Sequence, residues 1–486
     1  MKKIKRYRKF LQASVLIVVT LVLILPGTSV IANNIEKARD NGSITNNPIH
    51  ILPIDDELPT DNGDMPLVLQ ILQKLMPRVY VFVVKILDWF FNLWDNKEFK
   101  SIQEAVDKAN PGDTIYVPPG IYYESVVIDK PLSLVGKDKE TTIIDASKST
   151  GMGKGYGINI LEGDVTISGF TIQNTLHPNS GIWIEDRTKN IEIIDNIFQS
   201  CSSYGISLSG SENILIAKNI FRGERGIHGS WSSDSATVIN NVFEDCGVKF
   251  YESYNLVITD NIFKGEYGGS IVTFYSGNNV ISGNEGGYII LEDTVDTKVF
   301  ENKMIGRELG IVLQSGSSNC LISDNIIDGS PGRGMGIWGA DNNSIVNNVI
   351  TNCNRSGIQL RGKDNLIKGN HFLDNYRGIH INHMSSTHNI IIENTFEGHT
   401  RCGISFSSGI NGSLIYHNNF INNDDFDVYP TGPNDDLFFD NGAEGNYWDE
   451  YTGVDENGDG IGDTPYVIGW SGYGYVDNYP LMEPRE

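Results

Sequence analysis

Short runs of alternating apolar and polar residues, separated by Gly, Asn and Asp, fill most of this chain. The stretch "NIEIIDNIF" at 190–198 places isoleucine at alternate positions, 191 and 193, which is the spacing of a strand with one buried face. Apolar residues do not recur at helical spacing in this region. The pattern therefore predicts many short strands joined by tight turns.

One phrase repeats through these strands: an asparagine followed by apolar residues, as in "NIFQS", "NVFED" and "NVITN". A Gly-Ile pair follows the asparagine by seven to eleven residues in most copies. The ten steps from the first asparagine to the last average about 22 residues. The leading asparagines are Asn196, Asn219, Asn241, Asn261, Asn302, Asn325, Asn348, Asn370, Asn394 and Asn418, with a degenerate copy at Asn284.

A period near 22 residues without helical spacing is typical of a solenoid of β-coils. Successive coils pair about 4.8 Å apart, so the asparagines are expected to form a hydrogen-bonded ladder at one turn. The pattern resembles the parallel β-helix repeat shared by carbohydrate-binding proteins and sugar hydrolases. We therefore predict an all-β fold, a right-handed parallel β-helix solenoid over residues 98–440, with a short N-terminal capping helix at 102–109.

Three segments precede the repeats. Residues 1–32 combine a basic start with a long apolar run, which predicts a signal peptide and a secreted or cell-surface protein; an uncleaved membrane anchor is the alternative. Residues 33–64 are rich in Asn, Asp and Pro and are predicted to be a linker. Residues 65–97 form an apolar, amphipathic helical segment, whose part at 65–94 either packs on the protein or contacts a membrane surface or partner.

Charge and cysteine content narrow the class of partner. The chain has 61 acidic and 37 basic residues, a net charge of −24, which argues against nucleic acid as a partner. The five cysteines fall at interior slots of different coils, too far apart for disulfides, so we expect buried thiols. The protein is expected to be a monomer.

The C-terminal segment 441–486 carries the most specific motif. Its sequence "GNYWDEYTGVDENGDGIGD…DNYPLM" resembles the tail of NosD-like β-helix proteins, a family named for a periplasmic copper-delivery factor. Within it, alternate oxygen-bearing residues around a glycine turn have the spacing of a Ca²⁺ loop, although position twelve is Tyr466 instead of glutamate. A metal-free Asp/Gly turn is the alternative. The predicted Ca²⁺ ligands are Asp455, Asn457, Asp459, the carbonyl of Ile461, and Asp463.

An outward column of strand residues is the candidate binding surface. If the isoleucine of each Gly-Ile pair points inward, the next residue points outward, which places Trp338, Gln359 and His380 on three consecutive coils. Aromatic rings flanked by planar hydrogen-bonding groups suit sugars, and a solvated sheet face is the alternative. The predicted binding residues are Trp338, Gln359, Arg361, His380 and Asn382, with a second group formed by Trp183, Glu185 and His228.

Three functions compete at this stage. We favour binding of an extracellular polysaccharide through the outward strand face. Enzymatic degradation by a hydrolase or lyase is an alternative, although no pair of well-spaced carboxylates and no lyase motif is recognisable. Copper delivery, which the NosD resemblance implies, has support only from His380, His383 and Met384.

Calcium removal tests the predicted loop at 455–463. We expect EDTA to lower the thermal unfolding temperature and to expose the tail to proteolysis, because the bound ion would hold the loop together. Differential scanning calorimetry and limited trypsin digestion measure both effects, with added Mg²⁺ as the control. Unchanged unfolding and unchanged digestion would show that the loop is a metal-free turn.

Overall fold

The computed structural model describes residues 100–149, 155–223, 225–265, 269–383, 385–407, 410–433, 436–469 and 473–485. The signal peptide, linker and amphipathic segment predicted before residue 98 lie outside these residues. In the described part an α-helix, Ile102–Lys108, precedes the first strand, and the Ser101 hydroxyl accepts the N–H of Glu104 as its N-cap. This is the expected capping helix. No helix among the described residues is long and apolar enough to cross a membrane.

The strands of successive coils add to three parallel sheets, which we number 1 to 3. A short 3-10 helix, Ala146–Lys148, lies between two early strands. Sheet 1 has fourteen strands: Thr114–Val117, Leu132–Gly136, Val165–Ser168, Lys189–Ile194, Glu212–Ala217, Thr237–Ile239, Val257–Thr259, Val280–Ser282, Lys298–Phe300, Leu321–Ser323, Ser344–Val346, Leu366–Lys368, Ile390–Ile392 and Leu414–Tyr416.

Sheet 2 consists of two seven-stranded halves. Single-residue bridges from Ile262 to Glu285 and from Glu285 to Lys303 join the halves. The first half contains Gly120–Tyr122, Thr142–Asp145, Thr171–Gln173, Ile197–Gln199, Ile220–Arg222, Val242–Glu244 and Ile262–Lys264. The second half contains Lys303–Ile305, Ile326–Asp328, Val349–Thr351, His371–Leu373, Thr395–Glu397, Asn419–Ile421 and Tyr447–Trp448.

Sheet 3 contains the strands on which the candidate binding residues lie, such as Trp338, Gln359 and His380. Its fourteen strands are Val126–Ile128, Ile158–Ile160, Ile182–Ile184, Ile206–Ser209, Ile227–Ser230, Val248–Tyr251, Ser270–Phe274, Tyr288–Glu292, Leu309–Gln314, Arg333–Trp338, Ser356–Arg361, Arg377–Ile381, Cys402–Phe406 and Phe426–Pro430. Because every strand in these sheets pairs in parallel with the strand one coil later, the predicted parallel β-helix is confirmed.

The asparagine ladder holds neighbouring coils in register. Asn348 is buried; its Oδ1 accepts the backbone N–H of Asn325, and its Nδ2 donates to the carbonyl of Ile322 at 2.9 Å. The same pattern runs without interruption from Asn196 to Asn446, and it includes Asn284, the copy that looked degenerate in sequence. These amides satisfy buried backbone groups at the turn where the strands of sheet 1 end.

Large apolar side chains stack along the interior. Four phenylalanines, from Phe198 to Phe263, lie in a column with ring centroids 4.8–4.9 Å apart. A second column leads from Phe372 to Trp448, with centroid separations of 4.5–5.1 Å. The recurring glycines let the coils approach, because a Cβ on Gly378 would lie 2.4 Å from the ring of Phe396 and 2.5 Å from a backbone oxygen of the next coil.

The cysteines match the sequence expectation. All five are free thiols; Cys201 is partly covered and the other four are buried. Burial raises the pKa of each thiol, to about 12 for Cys201 and Cys353 and to about 11 for Cys402. These side chains are therefore neutral interior groups at physiological pH.

The tail closes the last coil. Asn446 and the strand Tyr447–Trp448 continue the ladder and sheet 2 beyond residue 440, into the segment that the sequence assigned to the tail. An antiparallel pair, Tyr466–Val467 and Val476–Asp477, follows. The buried carboxylate of Asp477 accepts the N–H of Asn446 at 2.7 Å and the indole N–H of Trp448 at 2.9 Å. Burial raises the pKa of Asp477 to about 6.

Replacing one ladder residue tests this account of stability. We expect Asn348→Leu to lower the free energy of unfolding by about 2–3 kcal/mol, because it leaves the buried N–H of Asn325 and the carbonyl of Ile322 without their side-chain partner. Urea unfolding followed by circular dichroism measures the loss. The control is Lys363→Ala on the exposed surface, which should change stability by less than about 0.5 kcal/mol. Equal stability of the two variants would contradict a stabilising ladder.

Candidate functional site

The register of sheet 3 corrects the position expected for Trp338. The sequence placed Trp338 in one outward column with Gln359 and His380, but Trp338 pairs with Arg361, and Gly336 pairs with Gln359. The stretch "RGMGI" at 333–337 contains two glycines, and it is the first one that aligns with the Gly-Ile pair of the next coil. The expected neighbours Gln359 and His380 do pair on successive coils.

The indole of Trp338 nevertheless reaches the column that its backbone does not occupy. A Cβ on Gly336 would lie 2.6 Å from the Trp338 ring, so the ring covers the space that this glycine leaves open. The indole N–H donates to Oε1 of Gln359 at 3.1 Å. The ring therefore lies beside Gln359 although its backbone is two residues out of the expected register.

Four of the predicted binding residues form one hydrogen-bonded group. Gln359 receives the Trp338 indole N–H and donates to Oδ1 of Asn382 at 3.3 Å, and Arg361 Nε donates to the same oxygen at 2.8 Å. His380 lies beside Gln359 on the next coil, and its Nδ1 is 2.8 Å from the Ser405 hydroxyl. Gln359 is buried, so it orients Trp338 and Asn382 rather than offering a free surface itself.

A depression of about 380 Å³ opens on this group. It contains four arginines, of which the sequence had indicated only Arg361. Three of them occur at a constant spacing, at 333, 355 and 377, each one or two residues before a repeat glycine; that spacing was the available signal. The lining residues are Arg333, Asn354, Arg355, Ser356, Gln359, Arg361, Tyr376, Arg377, His380 and Asn382.

The arginines of the depression lack acidic partners. None of them forms a salt bridge with a carboxylate of the described residues, whereas Arg401, on the coil after Arg377, is 2.7 Å from Asp425. Burial, with Arg355 and Arg361 nearby, lowers the pKa of Arg333. The depression is thus a positively charged region on a chain of net charge −24.

His380 is neutral in this environment. Burial, followed by the positive charges of Arg377 and Arg333, lowers the pKa of its imidazole to about 4. The neighbouring Cys402 thiol does not supply a balancing negative charge, because burial raises its pKa to about 11. His380 therefore offers a neutral imidazole edge among guanidinium groups.

The second predicted group lies elsewhere on sheet 3. Trp183 and His228 flank Ser207 in one column, and the Trp183 indole N–H donates to Glu185 at 3.1 Å. The His228 ring stacks on Tyr204 with centroids 4.7 Å apart, and burial, followed by Lys249 and Arg225, lowers its pKa. Seven coils separate His228 from His380, roughly 34 Å at the rise of a parallel sheet. The two groups therefore do not form one site.

The predicted calcium loop has an internal hydrogen-bond network. Asp455 accepts the backbone N–H groups of Gly458, Asp459 and Gly460, and Asp463 accepts that of Glu456. Among the residues that the structure describes, no three acidic, histidine or cysteine side chains converge to hold a metal ion. Calcium binding at this loop therefore stays a prediction.

The two histidines suggested for copper make separate hydrogen bonds. His380 contacts Ser405, whereas the Nδ1 of His383 is 2.7 Å from the hydroxyl of Ser385. Met384 lies outside the described residues. The arginines around His380 repel a cation, so this part of the chain does not resemble a soft-metal site.

Two family comparisons match the repeat region. The NosD family, described as periplasmic copper-binding proteins, matches residues 289–453, and the right-handed β-helix region matches residues 156–302. No curated protein matches the chain.

Several solved structures share 11–14% sequence identity with the chain. The Dettilon tailspike protein gp208 is 14% identical with a TM-score of 0.43, over 68% of this chain and 64% of the tailspike. A mutant of the periplasmic alginate epimerase AlgG is 14% identical with a TM-score of 0.40, over 68% and 83%. The Pseudomonas phage phi297 tailspike gp61 is 11% identical with a TM-score of 0.45, over 68% and 76%. Likeness at this level carries no argument about activity.

The titration of His380 tests the charge distribution of the depression. The folded-state pKa of about 4 lies below the value of 6.5 for an unperturbed histidine, so the unfolded chain binds more protons between these values. The free energy of unfolding therefore has its full His380 contribution above pH 6.5. This contribution is lost as the pH falls towards 4, because protonation of His380 favours the unfolded chain. NMR titration of histidine-labelled protein measures this pKa, and His380→Gln identifies the resonance. Titration near 6.5 would contradict the described environment.

Proposed function

We propose that this chain, a NosD-like right-handed β-helix repeat protein, binds a polysaccharide through the outward face of sheet 3. The observation that carries the proposal is the Trp338–Gln359–Asn382–Arg361 group at the edge of a depression of about 380 Å³. This volume is within the usual range for small-ligand sites.

The group has the chemistry that sugar recognition requires. The partly exposed Trp338 indole offers an apolar face for the C–H side of a sugar ring, while Arg361 and Asn382 offer hydrogen bonds to hydroxyl groups. Gln359 fixes the ring and the amide before a ligand arrives, and this reduces the entropy lost on binding. The parallel sheet continues on both sides of the depression, so a long polymer can extend along it.

The proposed location is outside the cytoplasm, in the periplasm, at the cell surface or in the medium. The support is the basic and apolar start at 1–32 together with the description of the matched family as periplasmic. We propose that the protein acts as a monomer.

The enzymatic alternatives differ in what they require. Hydrolysis of a glycosidic bond usually needs two carboxylates flanking the bond, and the described lining of the depression contains no carboxylate. Glu185 and Asp186, near the second group, are adjacent in sequence, and Asp186 pairs with Arg187. Elimination by a lyase needs a base beside a uronic acid, and neutral His380 is a candidate base in the depression.

Replacing Trp338 tests the proposed binding. We expect Trp338→Ala to weaken polysaccharide binding by about tenfold or more, because stacking on the indole is lost. Thermal stability should change less than binding, because the ring is partly exposed and its removal costs the cover of Gly336 and one hydrogen bond to Gln359. The matched control is Trp231→Ala, which removes an exposed tryptophan from another coil. Binding is measured by affinity electrophoresis and calorimetry on a polysaccharide panel.

The outcomes separate the candidate functions. Equal binding by both variants removes Trp338 from the site, and no binding by the wild-type protein refutes the proposal. Release of reducing ends or of unsaturated products identifies an enzyme. Copper delivery predicts instead that His380→Ala abolishes copper uptake. A copper titration of the wild-type protein and of this variant measures the effect.

A further inference from the structure

We infer that the depression on sheet 3 selects acidic sugars, whose rings carry carboxylate or sulfate groups. The inference rests on the proposed polysaccharide binding and assigns its ligand class. It draws on three residues that the binding proposal does not use, Arg333, Arg355 and Arg377.

The repeat places these arginines around one space. Ser356 begins one strand of sheet 3, and Arg333 and Arg377 begin the two strands that flank it. The two arginines are therefore two coils, or roughly 10 Å, apart along the solenoid. Arg355 precedes that serine, and Arg361 ends the same strand. Ser356 is small and buried, and it lines the same depression of about 380 Å³ as the four arginines. An oxyanion placed there meets arginines from three successive coils.

Other arginines of the solenoid have acidic partners, which the arginines of the depression lack. Arginines precede the repeat glycine on four consecutive coils, at 333, 355, 377 and 401. Arg401 is paired with Asp425 at 2.7 Å and lies over the ring of Tyr429, and Arg222 is paired with Glu244 at 3.2 Å. The arginines of the depression have no carboxylate partner among the described residues, and Arg377 lies instead over the ring of Tyr376, 4.7 Å from its centroid. A ligand anion would fill this role.

The crowding of positive charge favours an anion over a neutral sugar. Burial, followed by Arg355 and Arg361, lowers the pKa of Arg333, and burial, followed by Arg377 and Arg333, lowers that of His380. The contributions of the arginines are unfavourable like-charge interactions within the depression. A bound carboxylate or sulfate relieves them, and guanidinium groups bind such planar or multi-oxygen anions through two bonds at once.

The rest of the chain limits which polyanions fit. A net charge of −24 opposes duplex nucleic acid, which carries about one charge per 1.7 Å, more strongly than it opposes a polymer with one charge per sugar ring. Trp338 next to the arginines adds a face for a sugar ring, which a charge-only site would not need. Both features favour an acidic polysaccharide.

The experiment compares matched polymers by isothermal titration calorimetry. Polygalacturonate, polyglucuronate and chondroitin sulfate are each tested beside their carboxyl-reduced or desulfated forms, and duplex DNA is the charge-only probe. We expect at least one acidic polymer to bind about tenfold or more tightly than its neutralised form, and more weakly as salt increases. The carboxylated and sulfated arms distinguish the two anions.

Arginine variants link the preference to the depression. We expect Arg333→Met and Arg377→Met each to reduce acidic binding by about tenfold, with a melting temperature unchanged or raised, because a like charge is removed. The matched control is Arg222→Met, which removes an arginine that is paired with Glu244 and lies in the first half of sheet 2. This variant should leave binding unchanged. A melting temperature lowered by both test variants would show a structural role and overturn the inference.

The remaining outcomes are distinguishable. If neutral polymers bind as tightly as acidic ones, the acidic preference is wrong and the proposed polysaccharide binding stands. If no polymer binds, both are wrong. If DNA binds as tightly as the best acidic polymer, the depression recognises charge alone and the inference fails.

Discussion

The hydrogen bonds that buried asparagines make between coils hold the strands from Asn196 to Asn446 in register. A β-coil of about 22 residues contains turns whose backbone groups face the interior, where water cannot reach them. Asn348 and its equivalents supply both an acceptor and a donor at that turn, one to the preceding residue of the ladder and one to a strand carbonyl. Each coil is thereby fixed on the previous one without a shift in register.

Because the register is fixed, residues about one repeat apart in sequence lie next to each other in space. Gln359 and His380 are 21 residues apart in sequence and yet paired on adjacent strands. The arginines at 333, 355 and 377 come together for the same reason, since the repeat brings equivalent positions back to the same corner. The solenoid does not enclose a deep cavity at this place. It offers a shallow surface whose chemistry changes from one coil to the next.

Most of the fold followed from the sequence, because a ladder needs the same residue at the same place in every coil. The exception is instructive: the phrase "NEGGY" at 284–288 has lost its apolar residues, but Asn284 accepts from Asn261 and donates to Asn302 like any other member. The asparagine alone was therefore the better signal. Apolar neighbours depend on which interior slot must be filled.

The candidate site was only partly predictable. Alternation along a strand correctly placed Gln359 beside His380, but it failed for Trp338, where two closely spaced glycines allow two alignments and only packing selects between them. Arg333, Arg355 and Arg377 lie at the corner before the strand core, where alternation gives no orientation for a long side chain. The absence of acidic partners is a property of three coils together, so no single sequence motif records it.

The join in sheet 2 divides the solenoid in a way that its regular repeat conceals. Of the described residues, Glu285 alone continues the pairing between the seven-stranded halves, and the phenylalanine column that ends at Phe263 does not extend across this point to Phe372. Stability in a repeat protein is a sum of local terms and neighbour contacts, and the coils around Glu285 make fewer such contacts in sheet 2 than the coils on either side. We expect amide hydrogen exchange to divide there into two protected blocks. The aromatic group around His228 and the arginine depression would then belong to separate folding units, each able to open without the other.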